Sequence, residues 1–184
     1  IVEEKLKEID IFVMEADEVI DRSILRVDSK VYSGRLSEEE LEKINLLADF
    51  HTMPREHILS MKPWILAVIF DSPRPITPFN QDNLLKSKAE DFMKITQGLE
   101  TPEEHFNALD KFTIDEQISL LKAVLKKDLE QKEADYELLV TAYLTFNTEK
   151  ILNTDTRITK SLVSKATWEK MEYLFLTRRN KFFG

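Results

Sequence analysis

The sequence predicts a helix-rich α/β fold, in which a small sheet of two or more strands packs against six or more helices. Hydrophobic residues make up 42% of the chain and charged residues 33%, as in folded globular proteins. With 3 glycines and 6 prolines in 184 residues, the chain has too few turn residues for a typical all-β protein. Its length fits a single domain over residues 1–184 with a substantial core.

The first elements form an αβ unit. Residues 2–8 have the pattern of the end of a helix, and residues 9–16 (IDIFVMEA) predict a buried strand. That segment is short, apolar and rich in β-branched and aromatic residues. A short helix is expected at 17–26, and Ser33-Gly34 marks a turn.

Capping residues mark where the following helices begin. Ser37 and Glu40 have the spacing of a capping box. Pro63 lacks an amide hydrogen and therefore suits the first turn of a helix. The run that follows it, Trp64 to Phe70, has no polar face, so we expect that helix to be buried.

The second half of the chain is mainly helical by pattern. Prolines at 73, 75 and 78 predict a stiff loop over 72–79, before an amphipathic helix at 81–93 and a second strand at 95–99. Further helices are predicted to begin at Thr101, Thr113 and Thr167. The polar stretch 126–135 is either an exposed helix surface or a break between two helices. Tyr136, Leu139, Tyr143 and Phe146 resume an inward-facing apolar stripe after it.

Charge and composition exclude several classes of function. A formal charge of −8 disfavours nucleic acid as a partner, because phosphate binding requires clustered Lys and Arg. The longest apolar run, Trp64 to Phe70, is too short to span a bilayer. With no cysteine, the chain has neither a disulfide framework nor a thiolate nucleophile.

The three histidines do not form a metal-binding pattern in the sequence. His51 and His57 are six residues apart and would lie on different faces of a helix, and His105 is expected on an exposed first turn. We interpret each as a surface or packing residue. Carboxylates without an imidazole partner bind transition metals poorly, so this chain by itself is predicted to bind divalent ions weakly.

Two glutamates stand where catalytic groups of α/β proteins collect. Glu15 ends the first predicted strand, and Glu100 follows the second. If the strands are adjacent and parallel, both carboxylates emerge at one edge of the sheet. A charge there requires a partner, a metal or a raised pKa; the alternative is a carboxylate that caps a helix or pairs with a nearby cation. Thr101 is interpreted as a helix cap rather than a catalytic hydroxyl.

Arg179 and Asn180 end the final predicted helix. An arginine there either favours the negative end of the helix dipole or makes a bidentate contact to a carboxylate. That carboxylate would be Glu15, Glu100 or a group of the substrate.

Motifs spread over almost the whole chain resemble the TraB/GumN (Tiki-like) family. In chain order they are Val13-Met14-Glu15-Ala16-Asp17, Lys62-Pro63-Trp64, Gly98-Leu99-Glu100-Thr101 and Arg179-Asn180. The segment 143–151 is also similar to the family's helix before the last segment. Phe146-Asn147 stands in place of the family's usual glycine-aspartate, and the glycine expected before Asp82 is missing, which indicates a divergent member.

The resemblance implies a metal-dependent hydrolase of the peptidase type. Tiki proteins are described as metal-dependent proteases with two G-x-x-H motifs and an essential glutamate, which Glu15 matches. Glu15 is therefore assigned to catalysis and to a divalent metal (manganese, cobalt or zinc), Arg179 to catalysis, and Glu100 and Asn180 to substrate binding. The substrate implied is a peptide or protein, and the compartment periplasmic or extracytoplasmic.

The G-x-x-H motifs are expected just before residue 1 and just after residue 184. This chain is therefore expected to be the central part of the domain and to hold the carboxylate share of the site. Two other readings stay open: a non-catalytic protein that binds a peptide or pheromone, and a structural helical domain whose carboxylates are all capped or paired. Intact G-x-x-H motifs at both flanks would favour the enzyme, and degenerate ones the binding protein.

Overall fold

The computed structural model describes residues 2–17, 21–73 and 81–178. Within these ranges the chain forms ten α-helices and two strands, which confirms the predicted helix-rich α/β class. The elements are α1 (Val2–Glu8), β1 (Ile11–Ala16), α2 (Glu38–Phe50), α3 (Arg55–Ile58), α4 (Pro63–Asp71), α5 (Gln81–Asp91), β2 (Ile95–Glu100), α6 (Pro102–Asp110), α7 (Ile114–Lys126), α8 (Leu129–Tyr143), α9 (Thr148–Leu162) and α10 (Lys165–Glu172). The predicted loop at 72–79 lies mostly outside the described residues.

Contacts within the chain divide it into two compact units. The first unit combines residues 1–24 with 75–111, and the second combines residues 25–74 with 112–184. A single domain over 1–184 stays a prediction.

The first unit is built on a parallel pair of strands. β1 and β2 pair in register from Ile11 opposite Ile95 to Ala16 opposite Glu100. Helix α5 packs against both strands, and α1 packs against α5. Leu6 of α1 and Ala89 of α5 are buried. Because the strands are parallel, their carboxyl ends lie side by side.

The prediction that the first strand is buried is wrong. Both strands alternate between exposed and half-buried residues, the pattern of a sheet covered on one face. Ile11 and Val13 are each 45% exposed, and Ile95 and Leu99 are more exposed, at 62% and 60%. An apolar run indicates a strand, but it does not tell how many faces of the sheet its neighbours cover.

The core of the second unit lies between α4 and α7, the two helices that contact each other most. Pro63 occupies the first turn of α4, as predicted, and Trp64 is only 6% exposed. Leu66 and Phe70 of α4 meet Leu121 of α7 in the same fully buried cluster. The prediction of an enclosed Pro63–Trp64 helix is confirmed.

The polar stretch 126–135 contains a break between two helices, at residues 127 and 128. Helix α7 ends at Lys126, and the side chain of Asp128 caps α8 by accepting from the Gln131 amide. Lys127 Nζ lies 2.9 Å from Asp71 Oδ1 and 2.8 Å from Asp135 Oδ2. This polar segment is therefore partly enclosed in the second unit.

Two further expectations differ from the structure. In place of a helix over 17–26, the described residues form a 3₁₀ turn at Arg22–Leu25. The apolar stripe expected to continue inward after residue 135 is largely exposed: Tyr136, Tyr143 and Phe146 are 48%, 59% and 87% exposed. Apolar spacing identifies a helix face but does not supply the surface that would cover it.

Candidate functional site

Glu15 and Glu100 meet at the carboxyl edge of the two-stranded sheet. Ala16 lies opposite Glu100 in the strand register, and the Asp17 amide donates to the Glu100 carbonyl at 3.0 Å. The expectation that adjacent parallel strands bring both glutamates to one edge is confirmed. Side chains at such an edge are positioned by backbone pairing rather than by a flexible loop.

Gly98 in β2 allows the backbone of Ala16 and Asp17 to approach it closely. A Cβ atom on Gly98 would lie 2.3 Å from the Asp17 backbone nitrogen and 2.6 Å from the Ala16 carbonyl carbon. The Gly98 amide also donates to Asp17 Oδ1 at 2.6 Å. Glycine is needed here because any side chain would collide with backbone, which explains the glycine two residues before Glu100 in physical terms.

His105 contacts Glu100 directly. Its Nδ1 lies 2.6 Å from Glu100 Oε1, and the two side chains are 27% and 12% exposed respectively. An ionised carboxylate only accepts hydrogen bonds, so this contact requires the His105 tautomer with hydrogen on Nδ1 when Glu100 is ionised. A bond this short between an imidazole and a carboxylate is of the charge-assisted kind.

The start of helix α6 explains why these two residues meet. Thr101 caps the helix: its Oγ1 accepts from the Glu104 amide at 3.2 Å, and Glu104 Oε2 accepts from the Thr101 amide at 2.9 Å. Pro102 occupies the first turn. The residue before a cap and the fourth residue of the helix are neighbours, and they often form an apolar staple. Here those two positions hold Glu100 and His105.

Glu15 completes a group of three side chains of the types that can hold a metal ion. One ligand atom each of Glu15, Glu100 and His105 lies within 4.8 Å of the other two, with Glu15 exposed and the others half-buried. Two donors about 2.1 Å from one tetrahedral ion are roughly 3.4 Å apart, so small side-chain adjustments would place all three around one ion. Carboxylate and imidazole are ligands that zinc, cobalt and manganese accept, and the residues present therefore fit a divalent metal.

His105 is the site residue that sequence reasoning missed. The sequence pattern indicates a surface or packing residue at position 105, whereas the side chain is half-buried against Glu100. The premise that the carboxylates have no imidazole partner is therefore wrong. The signal that would have found it is the capping box at Thr101, since the box predicts contact between residues 100 and 105.

The other predicted site residues have different outcomes. Thr101 is a helix cap, as interpreted. Arg179 and Asn180 lie outside the described residues, so their assignments to catalysis and substrate binding stay predictions. His57 is exposed on α3, and His51 packs near the Phe50 and Phe70 rings at centroid distances of 5.1 and 5.9 Å.

In the described ranges, every helix is too short or too polar to cross a membrane.

Comparison with known proteins assigns the chain to one protein family. No curated protein and no solved structure matches the chain. The model of the TraB/PrgY/gumN family matches residues 2–183, nearly the whole chain. The chain therefore belongs to the TraB/PrgY/gumN family.

Proposed function

We propose that this chain carries part of the active site of a metal-dependent hydrolase that cleaves peptides or proteins. The observation that supports the proposal is the group formed by Glu15, Glu100 and His105 at the carboxyl edge of the sheet. The resemblance of Glu15 to the essential glutamate of Tiki proteins supports the same reaction class. Glu15, with Glu100 and His105 beside it, would hold the divalent ion.

In this proposal Glu15 has the central chemical role. A bound divalent ion lowers the pKa of its water and polarises the scissile carbonyl. The exposed Glu15 carboxylate accepts a proton from the attacking water as the water oxygen bonds to the carbonyl carbon. Glu15 then returns that proton to the leaving nitrogen as the C–N bond breaks. Its two oxygens allow one carboxylate both to hold the ion and to accept the proton.

The other assigned residues bind the substrate and stabilise charge. Glu100, whose Oε1 lies 2.6 Å from His105 Nδ1, would bind an amide of the substrate, as the family resemblance implies. Arg179 would offer a planar, bidentate donor to the negative charge that develops during hydrolysis, and Asn180 would bind the peptide backbone.

The test is Glu15→Gln in a form of the protein that contains this chain with its flanking sequence. The change keeps the size of the side chain and removes the charge, so we expect hydrolysis of a peptide library to fall at least ~100-fold. Glu103→Gln is the matched control, because Glu103 is exposed in the first turn of α6 and lies outside the group. Full activity of Glu15→Gln with an unchanged melting curve would refute the proposed role.

A second candidate, a non-catalytic peptide-binding protein, is supported by the exposed apolar face of the sheet. By strand alternation and register, Ile11, Val13, Ile95 and Leu99 lie on the same face as Glu15. Such a surface would bind an apolar peptide whether or not the peptide is cut. Peptides incubated with the protein and manganese, cobalt or zinc distinguish the two functions: mass spectrometry finds fragments if it is a hydrolase and intact bound peptide if it is a binding protein.

A further inference from the structure

We infer that the exposed side of helix α8 is a docking surface for a basic amphipathic helix of another protein. Apolar side chains form a row on that side, which we call the α8 stripe: Tyr136, Val140, Tyr143 and, just past the helix end, Leu144. The α8 stripe belongs to the second unit, whereas the group around Glu15 belongs to the first. The inference therefore goes beyond the proposed function.

The α8 stripe is continuous along the helix. Its members follow one another at spacings of three or four residues, which places them one above the other on a single helix face. Leu144 keeps helical geometry, since its amide donates to the Val140 carbonyl at 2.9 Å. All members are exposed, from 36% at Val140 to 66% at Leu144.

Phe146 adds an exposed aromatic ring beside the end of the α8 stripe. Its amide donates to the Tyr143 carbonyl at 3.0 Å, and its side chain is 87% exposed. Its φ of 53° lies in the left-handed region, which costs a bulky residue about 1 kcal/mol or more. Burial of the ring within the chain offsets little of this cost, and contact with another molecule would supply the missing burial.

The charges beside the α8 stripe indicate the chemistry of the partner. Glu133 and Glu137 are exposed, lie one turn apart, and each precede a member of the stripe by three residues. Lys132 is the only cationic residue of α8 and is 4% exposed, so the exposed charges of this helix are all negative. A helix that carries lysine or arginine beside its own apolar residues complements both features.

Area and charge argue against a second copy of this chain as the occupant. A two-fold contact joins the same patch of both copies, so it would bring the glutamates beside one α8 stripe towards those beside the other. With ~150–250 Å² for each large aromatic side chain, the exposed apolar area of the stripe and Phe146 is on the order of 500 Å². A standard interface buries about 800 Å² on each partner. The smaller area suits a single helix docked along α8.

The test compares two synthetic peptides that share one leucine stripe at helical spacing. The polar positions are lysine in the first peptide and glutamate in the second. Fluorescence anisotropy of each labelled peptide is followed as the 184-residue chain is added. We expect the lysine peptide to bind at least ~10-fold more tightly than the glutamate peptide, and the difference to decrease as salt is added.

Matched variants distinguish the α8 stripe from other exposed apolar and acidic residues. Leu144 and Leu46 are both 66% exposed, but Leu46 lies on α2. Leu144→Ser should weaken binding of the lysine peptide ~10-fold, the scale of one buried leucine, and Leu46→Ser should leave it unchanged. Glu137→Gln should reduce the salt dependence of binding, whereas Glu42→Gln on α2 should not.

Hydrogen exchange of the unchanged chain locates the bound peptide, and we expect protection of the amides of residues 136–146. Absence of binding, protection confined to other elements, or full binding by Leu144→Ser overturns the inference. A dimer in sedimentation that Leu144→Ser dissociates also overturns it, because the occupant is then a second copy. Partition into phosphatidylcholine vesicles that Leu144→Ser abolishes would instead identify a lipid surface. If that variant does not fold, hydrogen exchange of the unchanged chain still decides.

Discussion

Replacement of Gly98 by alanine should disrupt the carboxyl edge of the sheet. The added Cβ would lie 2.3 Å from the Asp17 nitrogen, more than ~1 Å inside the ordinary contact distance of about 3.5 Å. Both colliding groups are backbone, so the two strands must move apart. That movement would stretch the hydrogen bonds from the Asp17 amide to the Glu100 carbonyl and from the Gly98 amide to Asp17 Oδ1.

The expected loss of stability follows from these contacts. Overpacking of a tight site costs ~1–3 kcal/mol, and each stretched hydrogen bond adds about 1 kcal/mol. The lower entropy of an unfolded alanine returns less than ~1 kcal/mol. We therefore expect the free energy of unfolding to fall by about 3 kcal/mol, and zinc binding to weaken as Glu100 moves away from Glu15.

Urea denaturation followed by circular dichroism measures the first effect, and hydrogen exchange of the Asp17 amide locates it. Fluorescence is less suitable because Trp64 and Trp168 both belong to the second unit. Gln97→Ala is the control: residue 97 is exposed on the same strand, and its loss should change stability by less than ~0.5 kcal/mol. A Gly98→Ala protein as stable as this control, with a protected Asp17 amide, would refute the reasoning.

Two predictions concern the second unit. Trp64→Ala should lower the free energy of unfolding by ~3–5 kcal/mol, because removing a side chain that is only 6% exposed leaves a cavity. A loss below about 1 kcal/mol in urea denaturation would show that α4 is not in the core. Lys132→Met should raise the free energy of unfolding at neutral pH by ~1 kcal/mol or more. Burial and the neighbouring Lys127 charge lower the pKa of Lys132 below its ordinary value of 10.5, and the charges of Asp71 and Asp128 offset this lowering only in part. The unfolded chain then binds the Lys132 proton more tightly, so this residue makes the free energy of unfolding increase with pH between the lowered pKa of the folded state and 10.5. Thermal unfolding at several pH values should show that slope reduced in Lys132→Met, and an unchanged slope would contradict the prediction.

The order of elements was predictable because local chemistry determines where helices begin. Pro63 cannot donate inside a helix, and the Ser37–Glu40 and Thr113–Glu116 capping boxes satisfy backbone amides within four residues. These signals are short-range, so they persist whatever the rest of the chain does. The family motifs are likewise linear, and the match over residues 2–183 confirms the resemblance they indicated.

Burial could not be read from the same patterns. The apolar runs in β1 and α8 identified a strand and a helix correctly, yet Val13 is 45% exposed and Tyr143 is 59% exposed. Whether an apolar face is covered depends on elements distant in sequence. Lys127 illustrates the reverse case, since a polar stretch became partly enclosed by pairing with Asp71, 56 residues away.

For the site, the sequence alone determined that Glu15 and Glu100 stand at the ends of two strands and that Thr101 begins a helix. Only the tertiary structure decided that those strands are parallel neighbours, because strand pairing is a contact between residues more than 80 positions apart. It also brought His105 against Glu100 and near Glu15. The composition of the site thus depends on the register of the sheet, and local sequence patterns do not determine that register.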